Sequence, residues 1–324
     1  MAEDVLEELK WAGKLVDEKI KEVLPRGGAE GLYDACWHLI EAGGKRFRPL
    51  LAIKSCQVLG GSPDDVLPEA AAVELIHTFT LIHDDIMDED EERRGVPAVH
   101  VKWNVPVAIL AGDTLFSKAF EVAAEGGDVR AMEELARACT EICEGQAMDL
   151  EFERREDVTE EEFLEMVRKK TAALIRASCV IGGLKAGAEE DQLSALAEYG
   201  ENLGIAFQIQ DDVLDLVGDE SKLGKPVGSD IVEGKKTLIV IKGLERADEE
   251  QRERILSTLG NEDASEEEVR EVIDILDELG AIDYARERAQ EYAEAAKEAL
   301  DRLPENEHRD FLMTLADFVV EREF

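Results

Sequence analysis

Two aspartate clusters with the same spacing stand out in this 324-residue chain. They span positions 84–88 and 211–215, both read DDxxD, and each follows an apolar stretch, LIHTFTLIH or LGIAFQIQ. On a helix, residues i and i+4 lie about 40° apart around the axis, so their carboxylates can sit side by side. Carboxylates this close repel one another unless a cation binds, and Mg²⁺ prefers such oxygen ligands. We therefore predict these metal ligands: Asp84, Asp85, Asp88, Asp211, Asp212 and Asp215.

Basic residues form short clusters along the same chain, where a formal net charge of -39 makes them conspicuous. They occur at 43–49 (GGKRFRP), 93–95 (RRG), 169–171 (KKT), 225 and 235–236. Arginine grips phosphate oxygens with a planar fork, and lysine adds a point charge. Aspartates that carry divalent cations can bind other oxygens of the same group. The pattern indicates a polyphosphate ligand, and the apolar helices indicate that the rest of the ligand is hydrocarbon.

Helical periodicity extends over most of the chain, for example at 5–24 and 284–303. The run 62–65 (SPDD) has capping residues and a proline, and it predicts a helix that continues to about Asp90. Gly218 is placed to end the second apolar helix. Because strand patterning is sparse, we predict an all-α fold with a single domain over residues 1–324. The two acid-tipped helices are expected to face each other and to form a metal-lined mouth above an apolar cavity.

Composition excludes several classes of protein. The large negative charge argues against binding to nucleic acid or to an anionic membrane surface. We find no run of 18 apolar residues and no secretion signal, so no transmembrane segment and a cytoplasmic location are expected. Evenly distributed acidity is typical of proteins from a salt-rich interior. The five cysteines contain no CxxC pair and are expected to be reduced core thiols.

Six segments occur in the order typical of one enzyme family. They are GGKRFRP, LIHDDIMDEDEERRG, GDTLF at 112–116, KTAALIRAS, FQIQDDVLDL, and GKPVGSD with GKKT at 234–237. With these segments, which extend from about residue 30 to 245, the chain resembles the trans-isoprenyl diphosphate synthases. The resemblance implies antiparallel helices around a deep apolar cavity (the isoprenoid synthase fold), and usually a homodimer. It also implies head-to-tail condensation of isopentenyl diphosphate with an allylic diphosphate.

The resemblance further implies a role for each motif residue. Asp84 and Asp88 resemble the ligands of two Mg²⁺ ions, and Asp211 the ligand of a third, while the other three aspartates act directly or indirectly. The isopentenyl diphosphate group is assigned Lys45, Arg48, His77 and Arg94. The allylic diphosphate group is assigned Arg93, Lys170, Thr171, Gln208, Lys225 and Lys235. The catalytic set is Asp84, Asp88, Arg93, Lys170, Asp211 and Lys225.

The sequence also suggests the course and the product of the reaction. The metals act as Lewis acids on the departing diphosphate, the alkene attacks the allylic cation, and the apolar cavity excludes water. Phe79 lies five residues before Asp84, about 7.5 Å along a regular helix, and Thr80 beside it is small. This pair resembles that of enzymes that make C20 geranylgeranyl diphosphate from C5, C10 and C15 starters, with C15 farnesyl diphosphate as intermediate or co-product.

Other interpretations remain open at this stage. A terpene cyclase or a head-to-head prenyl coupling enzyme also uses aspartate-rich helices, but a cyclase has no need for the GGKRFRP segment. A non-catalytic regulatory subunit would be expected to have lost aspartates, and an acidic scaffold leaves the ordered basic segments unexplained. His77, Thr171 and Gln208 also fit ordinary helix positions. Arg46 is expected to face solvent, and the weakly basic ending EREF argues against a tail that closes over the site.

Overall fold

A computed structural model describes residues 2–27, 31–218 and 227–322. Helices dominate the described residues, so the predicted all-α class is confirmed. The helices of the first half are α1 (Ala2–Val23), α2 (Leu32–Glu41), α3 (Phe47–Val58), α4 (Pro63–Met87), α5 (Val99–Lys102), α6 (Val105–Glu125), α7 (Val129–Phe152) and α8 (Glu160–Val167). A π-helical turn, Arg168–Ala172, then leads directly into α9 (Ala173–Lys185).

The second half continues in the same way. Its helices are α10 (Glu190–Val217), α11 (Ser229–Val232), α12 (Leu238–Arg246), α13 (Glu249–Thr258), α14 (Glu266–Glu278), α15 (Ala281–Ala299) and α16 (Glu307–Glu321), with a 3₁₀ turn at Leu300–Arg302. Within the described residues the only sheet is a two-residue antiparallel pair, β1 (Glu92–Arg93) and β2 (Val96–Pro97). In the part of the chain that is described, no helix is both long and apolar enough to span a membrane.

The helices gather into two compact units, which are described separately. Unit 1 contains Met1–Cys139, Leu174–Ala197 and Leu300–Thr314. Unit 2 contains Thr140–Ala173, Glu198–Ala299 and Leu315–Phe324. The first aspartate cluster therefore belongs to unit 1, and the second belongs to unit 2.

Helix α4 is the central element of unit 1, where it packs against α3 and α6. It starts at Pro63 as predicted, and the Asp65 carboxylate accepts a 2.7 Å hydrogen bond from the backbone N–H of Ser62. It ends at Met87, slightly before the predicted Asp90. Because its middle is apolar on most faces, residues such as Leu75 are fully buried there.

Helix α10 carries the second aspartate cluster in unit 2. It ends at Val217, and the next N–H, that of Gly218, donates to the Leu214 carbonyl over 2.8 Å, so the predicted stop is confirmed. Its apolar face packs into the core of unit 2, and that burial fixes its C-terminal end in place. The core includes Phe152, Phe163, Ile205, Ile209, Val213, Leu238, Val272 and Ala285.

Candidate active site

Both aspartate clusters lie at the C-terminal ends of long helices. The first occupies the last turn of α4, and the second begins six residues before the end of α10. Neither last turn contains a basic residue. A helix C-terminus carries a partial negative charge, so carboxylates placed there raise the free energy of the empty protein. A bound cation would remove this cost, so the position of both clusters favours cation binding.

The three aspartates of the first cluster have different surroundings. Asp85 is fully buried and accepts hydrogen bonds from Arg93, whose Nε lies 2.7 Å and Nη2 2.6 Å from Oδ1. Arg93 Nη2 also lies 2.6 Å from the Asp90 carboxylate. Burial raises the pKa of Asp85, and the charge of Arg93 opposes that shift. Asp85 therefore holds Arg93, whereas Asp84 and Asp88 keep partly exposed side chains.

A tight hairpin aims the two neighbouring arginines in different directions. Arg93 pairs with Val96 across the strands, and the two turn residues, Arg94 and Gly95, have φ of 57° and 73°. Two positive φ values match the hairpin turn whose twist suits the flanking strands, and glycine favours that turn. Arg94 consequently points away from the aspartates: its Nη1 donates to the carbonyls of Leu39, over 2.9 Å, and Gly43.

The residues predicted for isopentenyl diphosphate gather in one basic region of unit 1. Arg48 Nη1 lies 3.4 Å from Nε2 of His77. Burial, followed by the charge of Arg48, lowers the pKa of His77 well below its ordinary value, so His77 is neutral at pH 7 and accepts from Arg48. Arg94 is tied to Gly43, at the start of the segment that carries Lys45, and the Lys45 side chain is exposed.

The prediction that Arg46 faces solvent is wrong. Arg46 is only 4% exposed, because Glu74 on α4 and two backbone carbonyls surround its guanidinium group. Glu74 is 1% exposed, and no sequence motif pointed to it. The only available signal was a charged residue inside an apolar helix, at a position where a core charge requires a partner.

In unit 2 a carboxylate missed by sequence analysis holds two predicted lysines. Asp149 Oδ2 lies 2.5 Å from Nζ of Lys170 and 3.6 Å from Nζ of Lys235. Burial would raise the pKa of Asp149, but the two lysines together hold it below its ordinary value. Lys235 also pairs with Glu153 at 3.0 Å. The two lysines are thus held by Asp149 of α7 and by Glu153, which directly follows that helix.

A chain of hydrogen bonds connects the π-helical turn to the second aspartate cluster. Thr171 Oγ1 donates to Oε1 of Gln208 over 2.8 Å, and Gln208 Nε2 donates to Oδ1 of Asp212 over 2.9 Å. Burial, and then the charge of Asp230, raises the pKa of Asp212 well above its ordinary value. Within the described residues, Asp212 Oδ2 is buried and has no hydrogen-bond partner.

The third acid of this cluster contacts the first residues of α11. Asp215 is 1% exposed and accepts from Ser229 Oγ over 2.7 Å and from the backbone N–H of Asp230 over 3.1 Å. A carboxylate at the start of a helix offsets its unpaired N–H groups. Asp215 is therefore a structural contact for α11. Lys225, which was predicted for the same ligand, lies outside the described residues.

Comparisons with known proteins match this arrangement over almost the entire chain. Residues 29–276 match the profile of the family described as Polyprenyl synthetase. The chain belongs to the polyprenyl synthetase family. A protein of Methanothermobacter thermautotrophicus named short chain isoprenyl diphosphate synthase is 52% identical, with 99% of both chains covered. A geranylgeranyl diphosphate synthase of Methanosarcina mazei is 47% identical, over 99% of this chain and 98% of its own.

A solved structure gives the same result. The geranylgeranyl pyrophosphate synthetase of Pyrococcus horikoshii superposes with a TM-score of 0.94 at 49% identity, and 99% of each chain is covered. The predicted family, and an enzyme that transfers prenyl groups, are therefore confirmed.

Two glycines let neighbouring helices reach the π-helical turn. A Cβ on Gly145 of α7 would overlap the backbone nitrogen of Lys170, and a Cβ on Gly204 of α10 would lie 2.5 Å from Cα of Ala172. Both distances are well inside van der Waals contact. The π-helical turn widens the helix where Lys170 and Thr171 leave it, and such bulges occur frequently at functional sites.

Gly145→Ala is expected to displace the π-helical turn. The added methyl group cannot fit beside the backbone of Lys170, so the free energy of unfolding should fall by about 1–3 kcal/mol. Turnover should fall by a larger factor than the matched change Cys143→Ala, which alters an exposed residue of the same helix. Thermal unfolding and steady-state kinetics measure both. Native turnover with unchanged stability would contradict the close packing described here.

An arginine near the end of the described chain pairs with the first acid of the second cluster. Arg322 Nη2 lies 2.5 Å from Oδ1 of Asp211 and 3.1 Å from the carbonyl of Phe207. Its guanidinium carbon lies 4.1 Å from the centroid of the Phe207 ring, and its side chain is 6% exposed. Arg322 therefore contacts a predicted metal ligand.

The donor set fits Mg²⁺. All six predicted ligands are carboxylates, and the unpartnered Oδ2 of Asp212 is a buried oxygen that a cation would satisfy. Among the described residues, no group of three or more acids, histidines or cysteines already forms a metal site. Mg²⁺ typically binds through one or two carboxylates, several waters and the phosphates of a substrate.

Phe79, one of the two residues predicted to control chain length, lies on the face of α4 toward α6. The Phe79 ring makes edge-to-face contacts with His83, at 4.9 Å between centroids, and with Phe116 of α6, at 5.4 Å. Gly112 allows this approach, because a Cβ there would overlap the His83 ring. Thr80 donates its hydroxyl to the His77 carbonyl over 2.8 Å. The position of Phe79 is therefore fixed by aromatic packing between two helices.

Proposed function

We propose that this polyprenyl synthetase condenses isopentenyl diphosphate with C5, C10 and C15 allylic diphosphates to give geranylgeranyl diphosphate, with farnesyl diphosphate as intermediate or co-product. The observation that supports this best is that the neighbouring side chains of Arg93 and Arg94 contact two different regions. One arginine is held at the first aspartate cluster, and the other joins a separate basic region with Arg48 and His77. Two diphosphate substrates need two such regions, and a cyclase needs only one. The names of the similar proteins from Methanosarcina mazei and Pyrococcus horikoshii agree with this product.

The roles of individual residues form part of the proposal. Asp84, Asp88 and Asp211 are assigned as ligands of three Mg²⁺ ions, and bound Mg²⁺ would neutralise the charge that develops on the departing diphosphate. Asp85 holds Arg93, and Asp215 contacts the start of α11. Asp212, whose buried Oδ2 has no hydrogen-bond partner among the described residues, is assigned as a direct or indirect ligand of the metals. To the allylic diphosphate we assign Arg93, Lys170, Thr171, Gln208, Lys225 and Lys235. To isopentenyl diphosphate we assign Lys45, Arg48, His77 and Arg94.

The protein's own groups account for the remaining requirements of the reaction. Arginine forks and lysine charges hold both diphosphates, so that the allylic carbon and the alkene meet in a fixed orientation. Apolar helix faces around the chain of the substrate exclude water, which would otherwise capture the allylic cation. The neutral His77 offers no positive charge of its own, and it orients Arg48 instead.

Product analysis tests the proposal. The purified chain is incubated with Mg²⁺, isopentenyl diphosphate and each of the three starters, and the prenyl products are separated by chromatography. We expect C20 product from all three starters and none when isopentenyl diphosphate is omitted. Product from an allylic diphosphate alone would favour a cyclase or a head-to-head enzyme. Absence of turnover by the isolated chain would favour a regulatory subunit.

Arg94→Ala is expected to raise the KM for isopentenyl diphosphate by roughly 100-fold, because a charged hydrogen bond to phosphate contributes about 1.5–3 kcal/mol. The KM for the allylic substrate should change by less than about threefold. Arg26→Ala, which removes an exposed arginine of the same unit, is the matched control. A shift confined to the allylic KM would mean that the two substrate assignments are exchanged.

Phe79→Ala is expected to lengthen the product beyond C20. Removal of the ring opens space between α4 and α6, and a longer prenyl chain can enter that space. Phe311→Ala makes the same truncation elsewhere in unit 1 and should leave the product unchanged. Chromatography of the dephosphorylated products measures chain length. An unchanged product distribution for Phe79→Ala would remove this residue from the proposal.

We also propose that two copies of the chain form a homodimer. Exposed large apolar side chains on α5 and α6 form a patch that is unusual for a free surface. They are Val101, Val105, Ile109, Leu110 and Phe116, with exposures of 36–55%. Light scattering after size exclusion should give twice the chain mass of 35.9 kDa. Leu110→Glu, which places a charge in this patch, should give the mass of one chain, and a dimer unaffected by that change would place the interface elsewhere.

A single catalytic domain over the full chain and a cytoplasmic location remain predictions. The origin of the acidity in a salt-rich interior is tested by unfolding in low and high KCl, since equal stability in both would contradict it.

A further inference from the structure

Glu74 is a buried acid among arginines of the basic region in unit 1. It lies on α4, three residues before His77, and its side chain is 2% exposed. Its Oε1 accepts from Nη1 of Arg46 over 3.1 Å. Burial raises the pKa of the Glu74 carboxyl, while the positive charges of Arg46, Arg94 and Arg48 oppose this. The Glu74 carboxylate is therefore paired directly with Arg46, and the charges of Arg94 and Arg48 also favour its ionised form.

Arg46, the direct partner of Glu74, determines the path of the backbone that follows the two glycines. Its guanidinium donates to Asp17 of α1, with Nε 2.9 Å from Oδ1, and to the carbonyls of Ile40 and Gly43, each over 3.0 Å. Its φ of 50° lies in the left-handed region, which residues other than glycine rarely adopt. The hydrogen bonds of the buried Arg46 guanidinium group stabilise this otherwise unfavourable backbone conformation.

The carbonyl of Gly43 connects the two halves of the basic region. It accepts from Nη1 of Arg46 and from Nη1 of Arg94. Gly44, with φ of 139°, lies between these groups, and a Cβ there would be 2.7 Å from Arg46 Nη1 and 2.8 Å from Arg94 Cζ. Only glycine fits between two guanidinium groups at this distance. The segment 43–48 and the hairpin turn are therefore held to one another through a single carbonyl.

We propose that Glu74 is a positioning residue of the isopentenyl diphosphate site. It does not touch the substrate: it holds Arg46, and Arg46 fixes the Gly43 carbonyl and thereby the spacing of Lys45, Arg48 and Arg94. The inference rests on the proposed function, because it takes those residues as ligands of isopentenyl diphosphate. A site whose cations are gathered before the diphosphate arrives loses less free energy on binding than one that must assemble them.

The test begins with Glu74→Gln, which keeps the shape of the side chain and removes its charge. We expect the KM for isopentenyl diphosphate to rise at least tenfold, with the allylic KM and kcat at saturation within threefold of the native values. Calorimetric titration of isopentenyl diphosphate into the chain, without an allylic partner, should show the same loss of affinity. Glu74→Asp, which retains the negative charge, should recover part of the lost affinity for isopentenyl diphosphate.

A second variant covers the case in which Glu74→Gln does not fold. Arg46→Lys keeps a positive charge beside Glu74 but loses the fork that reaches the Gly43 carbonyl. It should also raise the KM for isopentenyl diphosphate selectively. If the folded variants leave that KM unchanged, or raise both substrate constants equally, the positioning role is overturned.

Arg94→Ala separates this inference from the proposed function. If Arg94→Ala raises the KM for isopentenyl diphosphate and Glu74→Gln does not, only the role of Glu74 fails. If neither variant affects that KM, the assignment of the basic region to isopentenyl diphosphate fails as well.

Discussion

Asp84→Asn is expected to lower kcat by about two to three powers of ten while the protein stays folded. Asp84 is a partly exposed acid in the last turn of α4, and that turn contains no basic residue. The change keeps the size of the side chain and removes one proposed Mg²⁺ ligand, and loss of one stabiliser of transition-state charge typically costs about 10²–10³ in rate. Because negative charge is unfavourable at a helix C-terminus, the stability of the variant should be equal to or above that of the native chain.

Asp64→Asn is the matched control for this prediction. It makes the same substitution on the same helix, but at an exposed position in the first turn. Its kcat should stay within about twofold of native, since it contacts neither substrate nor metal in the proposal. Thermal unfolding tests folding, and titration of Mg²⁺ in the activity assay tests metal use. Near-native turnover of Asp84→Asn would contradict the assigned role.

Lys170→Ala is expected to produce the second largest loss, a decrease in kcat/KM for the allylic substrate of roughly 100-fold. Asp149 holds the Lys170 ammonium at 2.5 Å, and this fixes its direction from the π-helical turn before any ligand binds. A charged hydrogen bond to phosphate that is lost outright costs about 1.5–3 kcal/mol. In the Lys170→Ala variant, the buried Asp149 carboxylate still has a counter-ion, because Lys235 Nζ lies 3.6 Å from it.

Lys169→Ala provides a closely matched control, because it removes the neighbouring lysine from the same π-helical turn. Lys169 pairs with Glu144 and Glu165 at partly exposed positions, and such pairs contribute little. Its kcat/KM should change by less than about threefold. Equal losses in the two variants would show that the turn itself is sensitive, rather than the ammonium group of Lys170.

Several features followed from the sequence because their causes are local. The start of α4 depends on Ser62, Pro63 and Asp65, which are neighbours in the chain, and the end of α10 depends on Gly218. The DDxxD spacing also defines its own geometry, since a helix places i and i+4 on one side whatever surrounds it. The ordered basic segments then identified the family, which the comparisons confirmed.

Other features depended on contacts between distant positions. No local pattern indicated that Arg46 would turn inward to Glu74, 28 residues later, or that Arg322 would reach Asp211, 111 residues earlier. Asp149 was equally inconspicuous among many acids until its pairing with Lys170 and Lys235 was seen. Segment 219–226, which contains Lys225, is not described, so that assignment remains a prediction.

The sequence alone therefore determined which chemistry this chain can perform, because residue type and helical spacing decide where carboxylates can bind metal and cations can bind phosphate. The tertiary structure decided which of those charged side chains are fixed in position before a ligand binds, and which residues fix them. A buried charge needs a partner, and the partner of Arg46 or of Lys170 is supplied by whichever helix packs against it. That choice depends on the packing of the whole unit, and the order of the residues in the chain does not express it.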